Sequence, residues 1–241
     1  MNITEQQFFD YIKCPALYDL KYNHNIEINE IPTIPQILEK VAKYFYMSLL
    51  NNKKPPTLDQ LNKKFESLTQ PYMSYINNNK YVEACFQIRN FYNWACSNKV
   101  VVIDPSARYT IAHKGDILEG IMNPIAINKN QQFEFLIANF STKKPDQFDI
   151  DKKLKYSIDM YAYNQSSKDS SIIATNIHHI KSGTSYTTTR NSIDYQRLIS
   201  SFEGVVKGIE ANAFYPRESN MCNQCPYKHY CRGWGIKSDE E

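Results

Sequence analysis

An α/β sandwich with a helical N-terminal part is the fold class that this sequence predicts, and three observations carry it. Residues 1–98 place apolar side chains at helical spacing. Residues 99–140 change period, into short β-branched and aromatic runs divided by turn residues. A helical stretch, a hairpin and a long amphipathic helix then precede a cysteine-rich tail. Helices, strands, helix, hairpin and helix in that order pack as layers around a core. The expected organisation is a helical part over 1–98, an α/β core over 99–213 and a cysteine knuckle over 214–241, in one compact domain.

Each element has a local reason. Thr4-Glu5-Gln6-Gln7 has the form of a capping box, so a helix starts near residue 4, with Phe8, Phe9 and Ile12 as its apolar face. Cys14-Pro15 interrupts it, and Pro15 suits the first turn of a second short helix through ALYDLKYN. Residues 24–34 are polar, run into prolines and read as a loop with His24 exposed. From Pro35 to Leu50, Ile37, Leu38, Val41, Phe45 and Leu49 recur at helical intervals. Thr57-Leu58-Asp59-Gln60 offers another capping box, and Leu58, Leu61, Phe65 and Leu68 continue that helix. A helix over about 79–97 carries Ile88, Phe91 and Ala95, with Cys85 and Cys96 as small buried hydrophobes.

VVVID, RYTIAH, ILEGIM, PIAIN and QFEFLIANF then predict a meander of strands over 99–140. A helix over about 149–164 shows Ile150, Leu154, Ile158 and Tyr161 at helical spacing. SIIATNIHHI and TSYTTTR read as a hairpin across Lys181-Ser182-Gly183. His178 and His179 are adjacent on its first strand, so they face opposite sides and share no simple ligand site; both read as surface residues. Ile193 to Ala213 is the cleanest helix, with Leu198, Phe202, Val205, Val206 and Ile209 in one stripe.

Composition narrows the function classes. The chain has 241 residues, a net charge of +3 and 42% hydrophobic residues, enough for a sizeable core and only mildly basic. Lysine outnumbers arginine 22 to 6, so bidentate phosphate or guanine recognition by arginine is not a strong theme. Seven glycines in the whole chain and no glycine-rich phosphate loop argue against a nucleotide-cradling motif of that kind. No apolar stretch reaches the roughly 18 residues a membrane span needs, and MNITEQQFF lacks the form of a signal peptide. A cytoplasmic, reducing location without membrane contact is therefore expected. There, six cysteines with a short-spaced cluster read as metal ligands rather than disulfides.

Four of those cysteines sit near the ends of the sequence. Cys14 lies in YIKCPALYDLKY, and Cys222, Cys225 and Cys231 form CNQCPYKHYC. The C-x2-C-x5-C knuckle supplies three thiolates, and Cys14 is a natural fourth. Zinc takes four tetrahedral nitrogen or sulfur ligands, and His229 inside the knuckle could serve as one. An iron–sulfur cluster takes four thiolates. Spacing alone leaves both open.

The flanking residues resemble a known family. FFDYIKCPALYDLKY is similar to the N-terminal motif of the iron–sulfur members of the PD-(D/E)XK nuclease superfamily: RecB-like exonucleases, CRISPR-associated four-cysteine exonucleases and AddB-type subunits. ANAFYPRESNMCNQCPYKHYCRGW is similar to the family's C-terminal signature. The resemblance implies a restriction-endonuclease-like core, a mixed central sheet flanked by helices. It also implies a structural [4Fe–4S] cluster on Cys14, Cys222, Cys225 and Cys231, clasping the two ends.

The same resemblance locates where catalysis belongs, and those positions are emptied of their chemistry. The family pattern is a Gly-x-Ile-Asp strand, a strand ending Asp-aromatic-Lys-Thr, and a helix bearing Gln-x3-Tyr. His113-Lys114-Gly115-Asp116-Ile117-Leu118 resembles the first strand with Leu118 in place of the acid; a second register, Gly120-Ile121-Met122-Asn123, puts Asn123 there. In the second strand Asn139 replaces aspartate and Ser141 replaces lysine, while Phe140 and Thr142 keep the frame. Ser157 stands for the glutamine, and Tyr161 is retained. Divalent cations prefer charged oxygen ligands, and serine cannot supply the charge of lysine.

These losses imply a nuclease fold that no longer cuts, acting as a structural or nucleic-acid-binding subunit of a larger DNA- or RNA-processing assembly. The competing expectation is an active Mg- or Mn-dependent exonuclease on single-stranded DNA with relocated acids, from Asp116, Glu119 and Glu134. A third is a zinc-binding interaction protein. Lys143, Lys144, Lys152 and Lys153 flank the position of the family's DNA and are candidate phosphate contacts, against the plain reading of solubilising charge.

Overall fold

The computed structural model describes residues 1–167 and 172–231. Ser171 of the expected hairpin and residues 232–241 of the expected knuckle segment lie outside the described residues. The chain forms two compact units, each drawn from separated stretches. The first comprises Met1–Glu30, Arg108–Gly120 and Gln196–Glu241; the second comprises Ile31–Ala107 and Ile121–Tyr195.

The first unit is built on a small sheet. Strands β1 (Asn2–Thr4), β3 (Arg108–His113) and β4 (Asp116–Ile121) take the order β1-β4-β3, with β1 parallel to β4 and Ile3 opposite Leu118. Lys114 and Gly115 both have positive φ (52° and 89°), the backbone that a two-residue hairpin turn requires between β3 and β4. Helix α1 (Glu5–Lys13) starts at a full capping box between Thr4 and Gln7. Cys14 ends it in extended backbone, and α2 (Pro15–Tyr18) opens with the proline at its first turn. Phe8 meets Phe202 of α8 (Ser192–Glu210) at 6.4 Å, and the stripe Leu198, Phe202, Val205, Val206 and Ile209 is buried as its spacing predicts. Gly208 permits the close approach of Tyr11, since a Cβ there would stand 2.1 Å from the Tyr11 hydroxyl oxygen.

The second unit holds a five-stranded sheet in the order β2 (Val101–Asp104), β5 (Ile125–Ile127), β6 (Phe133–Asn139), β7 (Ala174–His179) and β8 (Thr184–Thr188). Only β6 and β7 are parallel, and α6 (Gln147–Asp151) and α7 (Leu154–Ser166) form the crossover between them. Helices α3 (Ile34–Asn52), α4 (Leu58–Thr69) and α5 (Asn78–Ser97) pack into one apolar cluster with Val102, Ala138, Phe140 and Ile180. Ile150, Tyr156 and Ile177 form a smaller core with Ile137.

The structure corrects four expectations. The single meander over 99–140 is divided between two sheets, because β4 finds its partner in β1, a three-residue strand too short to show alternation. The helix over 149–164 is two helices, broken at Lys152 and Lys153. The hairpin strand begins at Ala174, leaving Ile172 and Ile173 of the expected run outside it. His178 and His179 are 9% and 1% exposed, not surface residues, because α5 and the loop after β6 cover them. Among the described residues no helix is long and apolar enough to cross a membrane.

Candidate functional site

In the first unit, Cys14, Cys222, Cys225 and Cys231 all line one cavity of about 540 Å³. Local structure puts them there. Cys14 sits between α1 and α2, while Cys222 and Cys225 flank the turn that ends a short 3-10 segment, Asn220–Gln224. Cys231 follows a second such segment, Lys228–Tyr230. Tyr227, 3% exposed, anchors the knuckle in the core.

The tail is tied to the first helices by hydrogen bonds. The Ala16 N–H donates to the Tyr215 carbonyl at 3.2 Å, the Tyr11 hydroxyl to the Ala213 carbonyl at 2.9 Å, and the Arg217 guanidinium to the Ile12 carbonyl. Tyr18 stacks on Phe214, with 9° between the ring planes. Backbone N–H groups also reach sulfur, from Arg217 to Cys14 at 3.3 Å and from Ser219 to Cys222 at 3.4 Å. Burial pushes the Cys225 thiol up, opposed by a backbone hydrogen bond at Tyr227 and by the charge of Lys13. Among the described residues, no three His, Cys, Asp or Glu side chains form a group that could hold a single metal ion.

The degenerate catalytic positions are distributed between the units. Leu118 is fully buried in the small sheet of the first unit. Asn123, Asn139, Ser141 and Ser157 belong to the second unit, and each has its polar groups engaged. Asn123 donates to the Asp159 carboxylate at 2.6 Å, and Lys155 donates to the same carboxylate at 2.8 Å and to the Ile121 carbonyl at 2.7 Å. The Asp159 side chain is 1% exposed. The Asn139 side-chain Oδ1 accepts from the Ser141 N–H, the Ser141 hydroxyl donates to the Lys143 carbonyl, and the Ser141 carbonyl meets His179 Nε2 at 2.8 Å. The other ring nitrogen of His179 meets Ser182.

Ser157 accepts from Arg190 Nε. Arg190 also donates to the Thr188 hydroxyl and to the carbonyls of Thr189, Ile150 and Lys153, so one guanidinium joins β8 to the α6–α7 corner. Tyr161 of the retained helix motif packs edge-on against Tyr195. Sequence reasoning missed Arg190, Lys155 and Asp159. The only signal in the chain was the Lys155–Asp159 spacing of four, with Asp159 set between Ile158 and Met160 on a buried face.

The relocated acids do not assemble into a site within either unit. Asp116 binds the Met1 amino group, and Glu119 is exposed on the other face of the same strand. Glu134 lies five residues from Asn139 on β6 and so on the opposite face of the sheet. Lys143, Lys144, Lys152 and Lys153 are all exposed; Lys152 pairs with Asp149, and Lys153 lies over the Tyr156 ring.

No protein-family model matches this chain, and no curated protein matches it. Solved structures do. A crystal structure of a "putative exonuclease" from Eubacterium rectale aligns with 94% of this chain and 87% of its own, at 7% identity and a TM-score of 0.57. The likeness is one of fold: a mixed α/β architecture shared with a protein described as an exonuclease. The protein SSO0001 aligns with 95% of this chain and 93% of its own at 10% identity, with a TM-score of 0.40, too low to carry weight.

Proposed function

We propose that this chain is a non-catalytic PD-(D/E)XK-like protein whose cysteine end holds a [4Fe–4S] cluster. Its role is that of a structural or nucleic-acid-binding subunit of a DNA- or RNA-processing assembly. One observation carries the loss of catalysis. The buried carboxylate beside Asn123, that of Asp159, is neutralised by the Lys155 ammonium, so a lysine stands where a cation site would need open oxygens. Asn139 and Ser141 bond to their own loop. The fold likeness to the Eubacterium rectale protein supports the nuclease-like ancestry.

The cofactor reading rests on the donor set. Four half-buried thiols line one cavity, and backbone N–H groups approach two of their sulfurs. Zinc takes four tetrahedral nitrogen or sulfur ligands, whereas an iron–sulfur cluster takes four thiolates, the set that the resemblance around Cys14 and the knuckle implies. Bound there, the cluster would tie α1 and α2 to the tail and contribute to folding, in a compartment that keeps thiols reduced. Exposed Lys143, Lys144 and Lys152 are the candidate phosphate contacts.

Anaerobic purification tests the reading. The expected protein is brown, with iron and inorganic sulfide in equal amounts, and Cys14→Ser or Cys231→Ser loses both. Zinc without iron in oxygen-free protein would replace the cluster with a zinc site. Incubation with labelled single-stranded DNA and Mg²⁺ or Mn²⁺ is expected to leave the strand intact. Cleavage abolished by Asp116→Ala or Glu119→Ala would overturn the non-catalytic reading.

A further inference from the structure

A second cavity, of about 500 Å³, lies wholly within the second unit, at a size usual for small-ligand sites. Trp94 of α5 lines it and stacks flat on His178, with ring centroids 4.5 Å apart and planes 3° apart. Burial pushes the His178 pKa down, and His179 adds to this. Glu134 lines the same cavity. It is 9% exposed and has no cationic partner among the described residues.

The Asn176 amide donates to the Glu134 carboxylate, and Asn128 also bonds to it. A carboxylate has about four lone-pair sites, so acceptor capacity remains for a ligand. Lys99 and the exposed Lys129 also border the cavity. An aromatic face, a carboxylate with open acceptor sites and lysines nearby form one recognisable combination. It suits a planar base with two adjacent N–H donors and an attached phosphate. Guanine has such a pair in N1–H and its 2-amino group. Adenine sets a single amino donor beside an acceptor nitrogen, which a carboxylate repels.

We propose that this cavity binds a guanine nucleotide, its base against Trp94, its paired N–H donors on Glu134 and its phosphate toward Lys99 and Lys129. The site is distinct from the degenerate catalytic position on β6, since Glu134 and Asn139 face opposite sides of the strand.

The chain has two tryptophans, so full-length Trp234→Phe protein leaves Trp94 as sole reporter. Its emission is followed against GMP, AMP and ribose 5-phosphate. GMP is expected to quench saturably, AMP at least about tenfold more weakly, and ribose 5-phosphate not at all. Glu134→Gln is expected to weaken GMP about tenfold or more without lowering the ligand-free melting temperature. Lys129→Ala, at an exposed position, is expected to weaken GMP but leave guanosine unchanged. Absence of saturable quenching at millimolar GMP, an equal response to all three probes, or undiminished affinity in Glu134→Gln would overturn the proposal.

Discussion

Around the cysteine cavity, the backbone N–H groups of Arg217 and Ser219 point at sulfur, and four thiols line a space that no protein group fills. Around Asn123 and Asn139 the arrangement is reversed. Asn123 donates to Asp159, Asp159 is neutralised by Lys155, Ser141 caps its own turn, and Ser157 is held by Arg190. Buried polar groups must find partners. A region that receives a ligand leaves that requirement open, whereas a region without one closes it with its own side chains. The contrast is between thiols that line a cavity and polar side chains that satisfy one another.

The contrast can be broken by experiment, and the largest effect is expected at Asp159. Asp159→Ala removes a carboxylate whose side chain is 1% exposed and leaves Lys155 beside the Ile121 carbonyl. The expected cost is about 3–5 kcal/mol, as for breaking a buried pair, read as a fall of about 10 °C in Tm. A loss below about 1 kcal/mol would show that the network is not structural.

Arg190→Met comes next. It removes the guanidinium bonds to the Ser157 and Thr188 hydroxyls and to the carbonyls of Ile150 and Lys153, for an expected loss of about 2–3 kcal/mol in urea unfolding. An unchanged denaturation midpoint would remove Arg190 from the account.

A smaller effect of opposite sign is expected at Glu134. Burial raises its pKa above the usual 4.5, against the pull of Asn128 and Asn176. Its contribution to stability is therefore full below that value and is lost as pH rises through the higher folded pKa. Glu134→Gln should melt slightly above the parent at pH 7 and level with it near pH 4; a variant that melts lower at pH 7 contradicts this.

The smallest effect is expected at the cysteine end. In metal-free protein, Cys222→Ser should change stability by no more than about 0.5 kcal/mol, because the half-buried thiol holds little else in place. In cluster-loaded protein the same change should lower Tm sharply, since binding is coupled to folding. Equal Tm losses in both forms would erase the distinction between the two regions.

Much of the secondary structure was legible because its causes are local. Thr4 and Thr57 announce helices α1 and α4 through capping boxes that the structure contains, and the α8 stripe is buried as its period demands. Strand β1 was illegible because three residues show no alternation, and its presence moved Leu118 into a different sheet from Asn139. The burial of His178 and His179 depends on α5 and on the loop after β6, which no feature of HHI encodes.

The candidate sites divide in the same way. The sequence alone determined which residues are cysteine, where helices begin, and that Leu118 or Asn123, with Asn139 and Ser141, occupies the positions where the resemblance expects acids and lysine. These are matters of residue type and short-range spacing. Only the tertiary structure decided that the four cysteines share a cavity, that Lys155 neutralises Asp159 beside Asn123, and that Glu134 lies in a cavity with Trp94. Each of those depends on partners from other elements of the chain. Which distant groups meet is fixed by sheet pairing and core packing, and a local pattern cannot carry that information.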